Sequence, residues 1–161
     1  MIALFGDRKE EAGIRFLEIH DEDYLDHINP LTGAVALFNW LKEREIPIAI
    51  VTSKSQIRAE AQLDALGWSH YFDTVIGKIA GRAEKPDPTP VLLACKELSV
   101  AAGSCIMIGD GLADMKAATR AGSRALGICD GFSADELTEV GALHCFNSLI
   151  EVHSWLKSQI S

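Results

Sequence analysis

The sequence predicts a doubly wound α/β fold, a Rossmann-like parallel sheet with helices on both faces. From residue 34 onward, short apolar runs alternate with segments of helical periodicity, which is the pattern of strands and helices in such a sheet. Several of these runs are followed by glycine or a small polar residue and then by a helix start. In an open α/β sheet, this end of the strands is where ligands bind.

The composition is that of an ordinary globular chain. The 161 residues are 48% hydrophobic and carry a net charge of −8, so one domain is expected and binding to nucleic acid is disfavoured. The sequence shows no signal peptide and no run of about 18 apolar residues, so we expect no membrane association and a cytoplasmic location. The four cysteines are widely spaced, without a CxxC pair, and are expected to be buried free thiols rather than disulfides or zinc ligands.

The first 76 residues contain a weakly patterned segment and then regular elements. Met1–Phe5 is apolar and is compatible with a strand or the last turn of a helix, and Glu10–Ile28 is charged and mostly helical in character. The following elements are a turn at Pro30–Gly33, a helix from Ala34 to about Glu45, a strand at Ile46–Val51 closed by Thr52-Ser53, a helix at Ser55–Leu66 and a strand at Asp73–Ile76. Apolar residues at i, i+3, i+4 and i+7 from Ala34 indicate the first helix, and Gly67 stops the second.

The second half of the chain continues the alternation. After a polar loop at Gly77–Lys85, Asp87 is expected to cap a helix that has Pro88 at its first position. The later elements are a strand at Ser104–Ile108, a helix at Leu112–Gly122, strands at Arg124–Cys129 and Ala142–Phe146, and a last helix that ends near Ile160. Capping boxes are predicted at Ser133 with Glu136 and at Ser148 with Glu151.

Two carboxylates follow the strand that ends at Gly109. Asp110 comes directly after the strand and Asp114 lies four residues later, near the start of a helix. Oxygen ligands of this kind suit a hard divalent cation such as Mg²⁺. The alternative is an ordinary strand, turn and helix, because a negative charge near a helix N-terminus is favourable in any case.

Polar groups of a complementary kind follow two other strands. The Thr52 hydroxyl and the backbone N–H groups after it, including that of Ser53, suit a phosphate oxygen. Lys85 precedes Pro86-Asp87-Pro88, a stiff turn that would aim its ammonium group, and a buried lysine would need an anionic partner. Taken singly, Thr52 could be an ordinary strand-end hydroxyl and Lys85 a solvated loop lysine. Together with the two aspartates they predict a site for phosphoryl transfer, which needs positioning and charge neutralisation.

These motifs resemble the haloacid dehalogenase superfamily, and most of all its phosphoglycolate phosphatase-like branch. The matching segments are Ile48–Lys54, Lys85–Pro88, Ile108–Asp114 and Ala117–Gly122, and the resemblance covers residues 30–158. It implies that Thr52 contacts the phosphate, that Lys85 stabilises the charge on nucleophile and phosphate, and that Asp110, with Asp114 directly or through water, binds Mg²⁺.

The sequence departs from this family at its first motif. The family's first strand ends in Asp-x-Asp-Gly-Thr, whose first aspartate attacks phosphorus and whose second is the acid/base. That motif does not occur in these 161 residues. Asp7 and the Asp21-Glu22-Asp23 segment are weak candidates for the nucleophile, and His20, Asp21 and His27 could belong to a metal-dependent hydrolase of another class or to an exposed helix.

The family architecture implies that residues 1–29 are a remnant of the helical cap, that the cap is mostly absent, and that residues 30–161 form the core. It also implies a missing central strand beside the one that ends at Thr52. Buried backbone groups left unpaired there would each cost on the order of 1–3 kcal/mol. We therefore predict that Met1–Phe5 fills this position, with residues 7–29 as its crossover; a strand from a second copy is the alternative.

Three functions are compatible with the sequence. The first is a Mg²⁺-dependent phosphatase that acts on a small phosphorylated metabolite of the phosphoglycolate kind. The second is a degenerate or truncated domain that binds phosphate and Mg²⁺ without turnover, since loss of a covalent nucleophile costs several orders of magnitude in rate. The third is a structural or interaction domain in which the motifs are inherited remnants.

Overall fold

A computed structural model of the chain describes residues 2–3 and 30–160, and these form one parallel sheet with helices around it. The strands are β1 (Ile2–Ala3), β2 (Ala49–Ser55), β3 (Thr74–Lys78), β4 (Ile106–Gly109), β5 (Arg124–Ile128) and β6 (His144–Phe146). The helices are α1 (Ala34–Glu43), α2 (Gln56–Ala65), α3 (Thr89–Glu97), α4 (Leu112–Ala121), α5 (Ala134–Glu139) and α6 (Leu149–Gln159), with short 3₁₀ turns at Ser69–Tyr71 and Ala102–Ser104. The six strands lie in the order β3-β2-β1-β4-β5-β6 and all pair in parallel.

Strand β1 occupies the central position of the sheet. Ile2 is in register with Ala49 of β2 and with Met107 of β4, and Ala3 is in register with Ile108. Ile2 and Ala3 therefore pair where the sequence analysis placed Met1–Phe5, of which the other residues lie outside the described part of the chain. The proposed crossover at residues 7–29 lies outside the described residues, and the division of the chain at residue 30 stays a prediction.

Two apolar clusters cover the two faces of the sheet, as a doubly wound fold requires. Strand β4 shows the arrangement, because Ile106 and Ile108 belong to one cluster and Met107, between them, belongs to the other. Since successive side chains of a strand point to opposite faces, one buried strand contributes to both clusters. All four residues of β4 are buried, and this explains why its sequence is apolar throughout.

Helix α1 packs against the first cluster through the face that the sequence predicted. Ala34, Leu37, Phe38 and Leu41 are each at most 1% exposed. The ring of Phe38 meets the rings of Trp68, Tyr71 and Phe72 at centroid distances of 5.1–5.4 Å. This aromatic group joins α1 to the segment that leads into β3.

Several predicted boundaries need correction. Strand β2 begins at Ala49 instead of Ile46, and it does not close at Thr52-Ser53 but continues to Ser55. Its pairing with β3 jumps from Val51↔Ile76 to Ser55↔Lys78, so residues 52–54 form a bulge within the strand. The sequence pattern missed this extension because residues 52–55 are polar and only their pairing with β3 makes them part of a strand.

The start of helix α3 is also one residue later than expected. The helix begins at Thr89 with Pro88 at the N-cap, and the side chain of Asp87 accepts a hydrogen bond from the Thr89 N–H at 2.8 Å. The capping box of Ser133 and Glu136 is confirmed. At the last helix, Ser148 accepts from the Glu151 N–H as predicted, whereas the Glu151 carboxylate accepts from the Asn147 N–H instead of returning to Ser148.

The four cysteines are free thiols, as predicted, although only two of them are buried. Cys95 and Cys105 lie in the core with their sulfur atoms 3.3 Å apart, and Cys129 and Cys145 are half-buried. Among residues 2–3 and 30–160, no helix is both long enough and apolar enough to cross a membrane.

Candidate active site

The carboxyl ends of β2 and β4, together with one loop, form the candidate site. Thr52 and Ser53 lie in the bulge near the end of β2, and Asp110 directly follows β4. Lys85 comes from the loop after β3, and its turn is held by a hydrogen bond from the Arg120 guanidinium to the Pro86 carbonyl at 2.9 Å. Because all these strands are parallel, their carboxyl ends share one edge of the sheet.

Lys85 is a buried cation with two oxygen partners. Its Nζ lies 2.6 Å from Asp114 Oδ1 and donates to the Val51 carbonyl at 3.2 Å. The side chains of Lys85 and Asp114 are each 8% exposed. The alternative of a solvated loop lysine is therefore wrong, and the anionic partner expected for a buried lysine is Asp114.

Asp114 joins three parts of the site. While Oδ1 pairs with Lys85, Oδ2 accepts a hydrogen bond from the Gly111 N–H at 3.1 Å and so caps the first turn of α4. The sequence analysis offered a place at the helix N-terminus as the alternative role of Asp114, and the structure shows this role. Asp114 also forms an ion pair that the sequence analysis did not specify. The predicted role of Asp114 as a metal ligand stays a prediction, because both of its oxygens already have partners from the protein.

Gly109 provides the space for this carboxylate. A Cβ atom at position 109 would lie 2.6 Å from both Cβ and Oδ2 of Asp114, which is closer than such atoms approach. The residue before Asp110 must therefore lack a side chain if Asp114 is to reach Lys85.

A Gly109→Ala substitution is expected to lower the free energy of unfolding by about 1–3 kcal/mol, because the added methyl group must displace a buried ion pair. Urea unfolding followed by circular dichroism measures this. Gly103→Ala is the matched control, since the nearest atom to its added Cβ would be 3.9 Å away. Equal stabilities of the two variants would contradict the close approach of Gly109 and Asp114.

Asp110 is a partly buried carboxylate at the end of β4 with a raised pKa. Burial, followed by the nearby negative charge of Asp114, raises the pKa of Asp110 to about 6. Asp130 raises this pKa further, while Lys85 lowers it. A bound divalent cation would favour the ionised form of this partly buried carboxyl group and lower its pKa.

The donor set fits Mg²⁺ in the form that this ion takes beside phosphates. Within residues 30–160, no three His, Cys, Asp or Glu side chains converge into a protein-only metal site. Mg²⁺ beside a phosphate needs only one or two carboxylates, since water and phosphate oxygens supply its other ligands. Asp110 would hold the ion, and Asp114, whose two oxygens already accept from Lys85 and Gly111, would contribute through water.

A shallow cleft, open to solvent, lies between the end of β2 and the loop that carries Lys85. Its lining consists of Thr52, Ser53, Gly77, Lys78, Ala83, Glu84, Lys85 and Pro90. Thr52 and Ser53 thus share a cleft with Lys85, as the sequence analysis predicted for phosphate-binding groups. Thr52 Oγ1 accepts a hydrogen bond from the Lys54 N–H at 3.2 Å, which orients the hydroxyl within the bulge.

Some predicted site residues lie outside the described part of the chain, and two residues beside the cleft were not predicted from the sequence. Asp7, Asp21 and the His20 and His27 pair lie outside the described residues. Conversely, Gln56 and Arg82 take part in hydrogen bonds around the cleft that sequence reasoning missed. A glutamine at a helix start and an arginine in a polar loop carry no local signal of such contacts.

The fold and the site together define a class: a doubly wound α/β core with a buried lysine–aspartate pair and a second carboxylate at the carboxyl edge of its parallel sheet. The family model described as haloacid dehalogenase-like hydrolase matches residues 2–128. The chain therefore belongs to the haloacid dehalogenase-like hydrolase family.

Curated relatives and solved structures agree with this assignment. The chain is 31% identical over 142 residues to a phosphoglycolate phosphatase of Rhodospirillum rubrum, covering 88% of this chain and 59% of that protein. It is 33% identical over 118 residues to a phosphoglycolate phosphatase of Colwellia psychrerythraea, covering 73% and 52%. A crystal structure of a HAD phosphatase from Thermococcus onnurineus superposes with a TM-score of 0.74 at 26% identity, covering 88% of this chain and 63% of that one. The chain thus spans between half and three-fifths of the length of these two curated relatives.

Proposed function

We propose that this chain carries the phosphate site of a Mg²⁺-dependent phosphatase that acts on a small phosphorylated metabolite of the phosphoglycolate kind. The observation that carries the proposal is the buried Lys85, held by Asp114 and the Val51 carbonyl beside a cleft that contains Thr52 and Ser53. A buried ammonium group in a fixed position is suited to neutralise phosphate charge. The similarity to proteins named phosphoglycolate phosphatase supports the substrate class.

Each residue has a distinct task in this proposal. The Thr52 hydroxyl and the N–H groups of the bulge bind phosphate oxygens, and Lys85 stabilises the charge on the phosphate and on the attacking group. Asp110 would hold Mg²⁺, and the bound ion would supply further positive charge beside the phosphate. Phosphoryl transfer needs little beyond such positioning and charge neutralisation, apart from the nucleophile.

The nucleophile is the open part of the proposal, and one experiment addresses it. We expect the 161-residue chain to hydrolyse p-nitrophenyl phosphate with Mg²⁺ and to lose this activity when a chelator is added. Activity should fall in Asp110→Asn and in one of Asp7→Asn and Asp21→Asn, which would identify the nucleophile. Asp135→Asn, an exposed aspartate in α5, is the matched control and should retain activity.

A chain without turnover above the chelated control would contradict the phosphatase proposal. Titration with inorganic phosphate and Mg²⁺ then separates the remaining functions. Binding without turnover would identify a degenerate phosphate-binding domain, and absence of binding would indicate a structural or interaction domain.

A further inference from the structure

The side chain of Gln56 completes the sheet where the β2 bulge interrupts it. Within the β2–β3 ladder, Ile76 pairs with Val51 and Lys78 pairs with Ser55, and Gly77 between them has no partner in register. Gln56, the first residue of α2, takes that place. Its Oε1 accepts from the Gly77 N–H at 2.7 Å, and its Nε2 donates to the Val75 carbonyl at 2.8 Å.

Arg82 connects the same point to the loop that precedes Lys85. Its Nη1 donates to the Gly77 carbonyl at 2.7 Å and lies 3.3 Å from Gln56 Oε1. The backbone of Gly77 is therefore held at its N–H by Gln56 and at its carbonyl by Arg82. We call this pair of contacts the Gln56–Arg82 bridge.

The bridge lies directly behind one wall of the phosphate cleft. Gly77, Lys78 and Ala83 line that cleft, and Thr52 lines it from the other side. A Cβ atom at position 77 would be 2.6 Å from Gln56 Cα and 3.0 Å from the Lys54 carbonyl oxygen, so the two backbones touch here. The position of the Lys85 loop relative to the bulge therefore depends on this contact.

We propose that Gln56 and Arg82 are positioning residues that set the width of the phosphate cleft by holding the Lys85 loop against the β2 bulge. The proposal rests on the proposed phosphate function. Neither residue lines the cleft itself, so both act through Gly77. The acceptor oxygen of Gln56 is the group required, because it receives both the Gly77 N–H and the Arg82 guanidinium.

Binding of inorganic phosphate in the presence of Mg²⁺, measured by calorimetry on the whole chain, tests the proposal. Gln56→Met, which fills similar volume without an acceptor, is expected to weaken phosphate binding about tenfold, the equivalent of one lost hydrogen bond. Arg82→Lys should weaken phosphate binding less in the Gln56→Met background than it does alone, because both side chains hold the backbone of Gly77 and contact each other.

Two control variants and a second measurement separate the outcomes. Glu60→Ala removes the outer partner of Gln56 Nε2 without touching β3, and Arg124→Lys alters an exposed arginine at the start of β5; both should bind phosphate as the unsubstituted chain does. Hydrogen exchange of the Gly77 amide reports the bridge directly, without phosphate. Faster exchange in Gln56→Met is expected.

The results that overturn the proposal are distinct from those that overturn the phosphate function. If the unsubstituted chain binds no phosphate, the proposed function fails and the positioning role fails with it. If the unsubstituted chain binds phosphate, and the Gly77 amide exchanges as slowly in Gln56→Met as in that chain, then Gln56 does not hold Gly77 and the Gln56–Arg82 bridge is contradicted. If exchange accelerates but phosphate affinity is unchanged in the folded variant, the two residues stabilise the fold without positioning the cleft.

Discussion

Replacing Lys85 with methionine is expected to lower the free energy of unfolding by about 3–5 kcal/mol, because the substitution leaves a buried carboxylate without its cation. The Asp114 side chain is 8% exposed and accepts hydrogen bonds from Lys85 Nζ and the Gly111 N–H, of which the variant would keep only the second. Methionine fills most of the volume of lysine, so the loss reflects charge more than packing. Urea unfolding at neutral pH measures the change.

The chain offers a matched control for this prediction. Lys42 Nζ pairs with the Asp73 carboxylate at 3.1 Å, but the two side chains are 34% and 41% exposed. Lys42→Met should therefore cost less than about 1 kcal/mol, since solvent screens exposed ion pairs. The double variant Lys85→Met with Asp114→Asn should be more stable than Lys85→Met alone, because asparagine removes the unpaired charge and can still accept from Gly111. Equal costs for Lys85→Met and Lys42→Met would contradict the buried pair.

Replacing Asp110 with asparagine is expected to weaken Mg²⁺ binding by at least about a hundredfold. Loss of a residue that only supports a metal ligand weakens metal binding by up to about a hundredfold, and Asp110 is proposed as the ligand itself. Asparagine keeps the shape of the side chain and one oxygen but removes the negative charge. Calorimetric titration with Mg²⁺, in the presence of inorganic phosphate, measures the effect. Asp135→Asn is the control, and unchanged Mg²⁺ affinity in Asp110→Asn would exclude Asp110 as the ligand.

The same substitution should stabilise the metal-free fold at neutral pH. The pKa of Asp110 is raised from 3.8 to about 6, so the folded chain binds the proton more tightly than the unfolded chain does. Stability is then lost as the pH rises from about 4 to about 6, and the penalty is complete above that range. Asp110→Asn should therefore raise the free energy of unfolding by about 1–2 kcal/mol at pH 7 with chelator present. This is less than the full pKa shift of Asp110 implies, because the carboxyl group is partly solvated. No gain in stability is expected near pH 4. An equal gain at pH 4 and pH 7 would contradict the raised pKa of Asp110 as the cause.

Local sequence patterns were sufficient for most of the fold. The apolar spacing from Ala34 predicted the buried face of α1, because a helix that must cover a sheet repeats its apolar residues every three or four positions. The apolar run that ends at Gly109 predicted a strand at Ser104–Ile108, and the structure places that strand at Ile106–Gly109 with all four residues buried. The grouping of Thr52 and Lys85 followed as well, since parallel strands end at one edge and one cleft contains both residues.

Strand boundaries were less accurate where side chains were polar. Residues 52–55 have no apolar pattern, and their place in β2 depends on pairing with Lys78, which is 23 residues further along the chain than Ser55. The bulge at residues 52–54 likewise arises between two strands and has no sequence signature of its own.

By itself, the sequence determined the alternation of strands and helices, the parallel sheet and the identity of the chemical groups at its carboxyl edge, because periodicity, caps and strand ends are local properties. Only the tertiary structure decided which of those groups are partners. Lys85 meets Asp114 across 29 positions and the Val51 carbonyl across 34, and Gln56 meets Gly77 across 21. Such contacts form when packing of the two apolar clusters brings distant segments together, and the identity of a lysine or glutamine does not reveal which buried oxygen or N–H it will meet.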